Sequence, residues 1–235
     1  MECYRQFCRT YWEREPVVME CNLEDCPFNL ADLFTAAISM PSRSQSDRFW
    51  LARNNPPQSR GDFVMLDLDL MGPNIKDGSF AGFFRRMGSH SYGINLHRIE
   101  LGYPRFEGFK ELFSKQLSNC EGSPTPLRWN LDTFFGNYRA TPFGIHRDPE
   151  SVLSFCLLGQ RTYYTWPMDQ FQVGSPCLGT LNQEILDEAI ASAERFEVGV
   201  EQVIYWPSNR WHIVESSGQP FVVAQISAYF RTANK

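Results

Sequence analysis

No stretch of this sequence stays apolar long enough to cross a bilayer, which argues against a membrane-spanning chain. The N-terminus, MECYRQFCRTYWEREPVV, is charged and lacks the apolar core of a signal peptide, and no Asn-x-Ser/Thr sequon occurs. Blocks of like charge are missing too. The net charge of -5 is spread along the chain, so no general nucleic-acid surface is expected. The seven cysteines are odd in number and scattered, which predicts reduced thiols and a cytoplasmic location in place of a disulfide framework. Cys3-x4-Cys8 and Cys21-x4-Cys26 are loosely spaced for a four-thiolate zinc site, so free structural thiols are the expectation. His146-Arg147-Asp148 spells a kinase catalytic-loop triplet, but no glycine-rich loop, Val-Ala-Ile-Lys strand or Asp-Phe-Gly accompanies it.

Aromatic residues are plentiful: 19 Phe, 9 Tyr and 6 Trp within 235 residues point to a pleated, β-rich interior. The pattern predicts a helix over residues 1–16 with Phe7, Tyr11 and Trp12 on one side, and a strand over Val17–Met19. A second helix is predicted over Asn29–Ala37, with Asn29 as its cap. Ser42–Arg60 reads as a polar surface segment around a short strand. Strands follow over Phe63–Leu70 and Tyr92–Ile99, with a short helix over Asp77–Arg85 between them. Arg105–Leu117 is helical, with Phe106, Phe109, Leu112, Phe113 and Leu117 facing inward, and Gly122–Pro126 is a turn. Closely spaced strands then run over Leu127–Tyr138, Gly144–Arg147, Val152–Leu158, Arg161–Trp166, Gln202–Trp206, Trp211–Glu215 and Phe221–Phe230, with one helix over Asn182–Phe196. The prediction is a single domain over 1–235, mainly β with flanking helices: helices and accessory strands over 1–126, a barrel or sandwich core over 127–235.

The chemistry concentrates in two places. His146 and Asp148 stand two apart, so in a strand both project from one face. His212 follows the Pro207-Ser208-Asn209 turn on a separate strand. Two imidazoles and a carboxylate brought together in this way make the ligand set of a mononuclear non-haem iron(II) site with open positions. A lone His beside Trp211 can equally be a core residue. Arg161, fifteen residues after His146, could grip a carboxylate through two parallel hydrogen bonds or be a surface residue after the Gly159-Gln160 turn.

Taken together, YRATPFGIHRDP, LLGQRTYYTWPMDQF and IYWPSNRWHIVES resemble the JmjC-type cupin oxygenases, in particular the asparaginyl hydroxylases and ribosomal oxygenases of that family. FCRTYWEREPVVM and SYGINLHRIELGYPRFEGFKELF resemble the segments that precede the barrel in that group, so the likeness runs from about Phe7 to Phe230. The resemblance implies a double-stranded β-helix, the jelly roll of the cupins, binding Fe(II) through His146, Asp148 and His212. It implies 2-oxoglutarate as cosubstrate with O2, the distal carboxylate on Arg161 where many members of the family place a lysine. Tyr138 and Tyr92 would assist as phenolic donors, and Ser227 would sit near the cosubstrate on the last strand. With Asp148 present, hydroxylation or a related oxidation is implied over halogenation, and a protein or peptide side chain is the expected substrate. The same chemistry on a small molecule or carrier-bound natural product, or a non-enzymatic metal-binding cupin, are the alternatives. Gln172–Phe196 and Pro41–Arg60 could cover such a site or be ordinary surface connections. Oligomeric state is open, with a homodimer among the options.

Overall fold

A computed structural model of the chain describes residues 2–21, 27–39, 48–52, 63–65, 67, 71–103, 105–118, 126, 128–139, 143–178, 181 and 183–230. Most of Ser42–Arg60, the turn expected over Gly122–Pro126 except Pro126, Asn182, Cys26 and the side chain of Cys3 lie outside the described residues.

The elements in chain order are α1 (Glu2–Thr10), β1 (Val17–Glu20), α2 (Leu30–Ser39), β2 (Arg48–Ala52), β3 (Phe63–Met65), α3 (Phe80–Met87), β4 (Tyr92–Leu96), α4 (Arg105–Ser118), β5 (Arg128–Gly136), β6 (His146–Arg147), β7 (Ser151–Leu158), β8 (Gln160–Trp166), α5 (Gln183–Ala191), β9 (Glu194–Gly199), β10 (Gln202–Trp206), β11 (Trp211–Ser216) and β12 (Phe221–Tyr229). Two antiparallel sheets result. One has the order β1-β10-β7-β12-β5-β4-β2-β3, the other β6-β11-β8-β9. This is a mainly β jelly roll with helices laid on its outside.

Side-chain alternation decides what each face does, because successive strand residues point to opposite sides. Along β7, Leu153, Phe155 and Leu157 pack on the helix side, while Val152 and Cys156 face the opposing sheet. In β10, Val203 and Tyr205 take the helix side and Ile204 and Trp206 the interior. β12 places Val222, Ala224, Ile226 and Ala228 against the helices and Val223 inside. The outer face of the smaller sheet, with Trp166, Trp211 and Ile213, is covered by Leu186 of α5 and by Ile145. Each large apolar side chain removed from water contributes about 1.5–3 kcal/mol, so both outer faces as well as the interior hold the sheets in place.

The N-terminal segment is fastened by aromatic contacts. Trp12 stacks on Tyr205 at 5.3 Å and meets Phe113 edge-on at 6.0 Å, tying the end of α1 to β10 and α4. Asn29 caps α2 as expected, its Oδ1 accepting the Asp32 backbone N–H at 2.9 Å.

Several elements differ from the sequence expectation. α1 ends at Thr10, well short of Pro16, and Glu13 in the turn beyond it has a left-handed φ of 56° that no helix continues through. β4 ends at Leu96, before Ile99, with Arg98 at φ 57° breaking it, while Leu66 and residues 68–70 of the strand expected to Leu70 lie outside the described residues. The helix expected from Asp77 is a 3-10 turn over Ile75–Asp77 followed by α3, which Ser79 caps through the Gly82 N–H at 3.1 Å. Leu112 is 59% exposed, because it lies one step of about 100° away from Phe113 on the helix wheel, outside the buried stripe. The helix expected over Asn182–Phe196 stops at Ala191, and Glu194–Gly199 forms β9 along the free edge of β8. Phe196 alone continues the helical stripe of Ile185, Ala189 and Ala193, but with Val198 it makes a strand alternation, and the unpaired backbone of β8 selects the strand.

Candidate metal centre and its cavity

The two-residue strand β6 pairs with β11 so that His146 stands opposite His212 and Arg147 opposite Trp211. Arg147 lies over the Trp211 ring at 5.0 Å on the outer face, which turns both imidazoles inward. Their centroids are 4.3 Å apart. Each Nδ1 faces a backbone carbonyl, His146 that of Gly144 at 3.0 Å and His212 that of Arg210 at 3.1 Å. A carbonyl only accepts, so each Nδ1 carries the proton and each Nε2 presents its lone pair to the interior. Asp148 follows immediately after β6, with its Oδ2 3.8 Å from His146 Nε2 and 3.5 Å from His212 Nε2.

These three side chains offer ligand atoms that all lie within 4.8 Å of one another. Atoms bonded at about 2.1 Å to one ion sit roughly 3.0–3.5 Å apart, so the triad matches a single divalent cation within small side-chain adjustments. Burial, and next the neighbouring His146, hold the His212 imidazole well below its usual pKa. It is therefore neutral at pH 7, the form that can ligate.

The triad opens into a cavity of about 590 Å³. Arg161, on β8, lines it from within the interior and is only 3% exposed. Its guanidinium lies over the Phe221 ring at 4.6 Å and donates through one terminal nitrogen to the Tyr138 hydroxyl at 2.5 Å. Among the described residues no carboxylate pairs with it, and its Nε has no partner. Tyr138 is wholly buried, and burial pushes its phenol up to about 12, so it stays protonated. Trp206 also lines the cavity, 5.2 Å from the His212 ring, and its buried indole N–H has no partner among the described residues.

The opposite wall is rich in acceptors. It is formed by Asn95, His97, Asp132, Glu150 and Gln225. The Asn95 amide donates to His97 Nε2 at 2.9 Å, so His97 carries its proton on Nδ1, which faces Asp132 at 3.4 Å. Asn95 Oδ1 is buried without a partner among the described residues. Asp132 accepts the Arg98 backbone N–H at 2.9 Å. Burial, and then the Asp148 charge, push Glu150 up to about 7.

His146, Asp148, His212 and Arg161 thus meet in one cavity, with Tyr138 directly behind Arg161. Ser227 faces the interior two residues beyond Gln225, its buried hydroxyl unpartnered among the described residues, but it is not part of the cavity wall. Tyr92 is placed elsewhere. Tyr92, Ile94 and Leu96 of β4 belong to the helix-side core, and Tyr92 meets Phe83 edge-on at 5.7 Å, so it does not reach the cavity. The same alternation puts Asn95 on the cavity side. The signal for it is a polar residue flanked by Ile94 and Leu96, whereas Trp206 is expected only as the end of the strand over Gln202–Trp206. Of the two segments expected as covers, Pro176 and Cys177 line the cavity, and the Cys177 thiol donates to the Phe143 carbonyl at 3.3 Å.

No family model matches the sequence, and no curated protein matches it. Solved structures do. YcfD of Escherichia coli superposes with a TM-score of 0.61 at 14% identity, over 99% of this chain and 53% of that one. The ribosomal oxygenase YcfD from the same organism, in complex with cobalt and succinic acid, gives 0.57 at 15% identity over 99% and 52%. Its complex with cobalt and 2-oxoglutarate gives 0.56 at 15% identity over 99% and 52%. This chain spans about half the length of those proteins. In fold, this chain is a cupin-type jelly roll like that of the YcfD ribosomal oxygenase.

Proposed function

We propose that the chain is an Fe(II)- and 2-oxoglutarate-dependent oxygenase that hydroxylates a protein or peptide side chain, with release of succinate and CO2. The observation that carries this is Arg161. A buried guanidinium without a carboxylate costs several kcal/mol, and this one faces the same cavity as a two-histidine, one-carboxylate triad. An anionic ligand that also chelates the metal satisfies both. The cobalt, succinate and 2-oxoglutarate bound by YcfD support that assignment.

In this reading His146, Asp148 and His212 hold Fe(II), which together with 2-oxoglutarate and O2 supplies the oxidant for an unactivated C–H bond. The protein's own residues do the rest. Arg161, braced by Tyr138, receives the distal carboxylate, and Trp206, which lines the same cavity, offers an indole N–H. The carbonyls of Gly144 and Arg210 keep both imidazoles in the ligating tautomer. Phe134, Phe143, Val214 and Trp206 wall the cavity with apolar surface and keep water from it. The acceptors Asn95 Oδ1, Asp132 and Glu150 receive a substrate side chain that bears hydrogen-bond donors.

The test is incubation with Fe(II), 2-oxoglutarate, ascorbate and a pool of capped peptides with varied central residues, read by mass spectrometry. Gain of one oxygen atom on donor-bearing side chains, absent in Asp148→Ala, is the expected result. Oxidation only of small-molecule candidates would redirect the reading to a metabolite substrate.

A further inference from the structure

The turn that carries His212 is held from outside the cavity by two glutamates of the N-terminal segment. Glu13 lies just beyond α1, outside the cavity wall, at a left-handed φ of 56°. Non-glycine residues persist there only when their surroundings over-determine them, and here the surroundings are three hydroxyls. Glu13 Oε1 accepts from Ser151 and from the Tyr205 hydroxyl, the latter at 3.1 Å, and Oε2 accepts from Ser208 at 2.7 Å. The Glu13 backbone N–H donates back to the Tyr205 oxygen at 2.8 Å. Ser151 opens β7, three residues after Asp148, and its Oγ accepts the Ser208 backbone N–H at 2.8 Å. Ser208 begins the turn into β11, where the Asn209 N–H donates to the Asp148 carbonyl at 2.8 Å.

Two residues on, Arg210 is 6% exposed and is clamped by Thr165 Oγ1 at 3.2 Å, Glu15 at 3.2 Å and Glu194. Its carbonyl is the one that fixes His212. The carboxylate of Glu13 therefore joins the segment bearing Asp148 to the turn bearing His212, and Glu15 helps hold the residue that orients His212. Resting on the metal-site reading above, we infer that Glu13 is a positioning residue: it sets the separation of Asp148 and His212 and thereby the affinity for the metal.

The experiment is titration of the metal-free full chain with Co(II), followed in the visible spectrum, at a temperature well below each variant's unfolding midpoint. Loss of an outer partner of a metal ligand typically weakens binding about 10–100-fold. Glu13→Ala is expected to fall within that range and to alter the Co(II) band shape. Glu13→Gln, which keeps an accepting oxygen in place, should recover part of the affinity. Ser208→Ala removes a single arm and should weaken binding a few-fold, which keeps the test open if Glu13→Ala does not fold. A folded Glu13→Ala with unchanged Co(II) affinity and only a lowered melting temperature would overturn the inference. Wild-type protein that binds no Co(II) would overturn the metal-site reading and this inference with it.

Discussion

Arg161 carries more of the account than any other single residue, because its charge is buried and no carboxylate among the described residues neutralises it. Its guanidinium is in reach of aromatic rings and the Tyr138 hydroxyl, which orient it without neutralising it. Removing one partner of a buried charged pair costs about 2–5 kcal/mol. Arg161→Ala should therefore weaken 2-oxoglutarate binding by roughly 30-fold or more while leaving Co(II) affinity intact. Calorimetric titration of the Co(II)-loaded protein checks this. Joint loss of metal and 2-oxoglutarate binding would instead make Arg161 a structural residue. Trp206 gives a second, independent check. A hydrogen bond to a charged group contributes about 1.5–3 kcal/mol, so Trp206→Phe should lower 2-oxoglutarate affinity by about tenfold or more. The quenching of indole fluorescence expected on cosubstrate binding should shrink with it.

At the scale of elements, the tight corner at Gly159, where the chain passes from β7 of the larger sheet to β8 of the smaller one, brings Arg161 to its place. Gly159 makes the turn at φ +78°, and a Cβ there would come within 2.5 Å of the Pro220 carbonyl oxygen. Gly159→Ala should destabilise the chain by roughly 1–3 kcal/mol, about 2–4 °C in midpoint per kcal/mol at this size. Thermal unfolding of the metal-free protein measures it; an unchanged midpoint would mean that this corner relaxes freely. The core strands were legible in the sequence because β5, β7, β8, β10, β11 and β12 each bury at least one face and so carry a plain apolar pattern. β9 was not, since Glu194, Arg195 and Glu197 are exposed at the sheet edge and its pairing is set by β8, a distant partner. The triad could be found because His146 and Asp148 stand two apart in an H-x-D pattern and His212 follows a plain turn signal at Pro207-Ser208-Asn209. The acceptor wall was hidden for the opposite reason. Asn95, Asp132 and Gln225 come from three strands whose adjacency only the β4-β5-β12 order reveals.

For the whole molecule, the jelly roll works as a container whose two walls have different chemistry. One wall, on the smaller sheet, carries Arg161 and the two histidines of the triad; the facing wall, on the larger sheet, carries Asn95, Asp132 and Gln225. Such polarity suits two ligands that enter one cavity and meet at one ion, an anion on one wall and a donor-bearing group on the other. A cupin that only stores a metal has no use for a buried guanidinium in its cavity. The measurement that separates these is direct: load the purified chain anaerobically with Fe(II), add 2-oxoglutarate, record the visible spectrum, then admit O2 and measure succinate. The account predicts a weak visible chelate band with wild-type protein, its loss in Arg161→Ala at the same 2-oxoglutarate concentration, and slow succinate formation once O2 enters. A folded protein that binds Fe(II) but shows neither band nor succinate would contradict it.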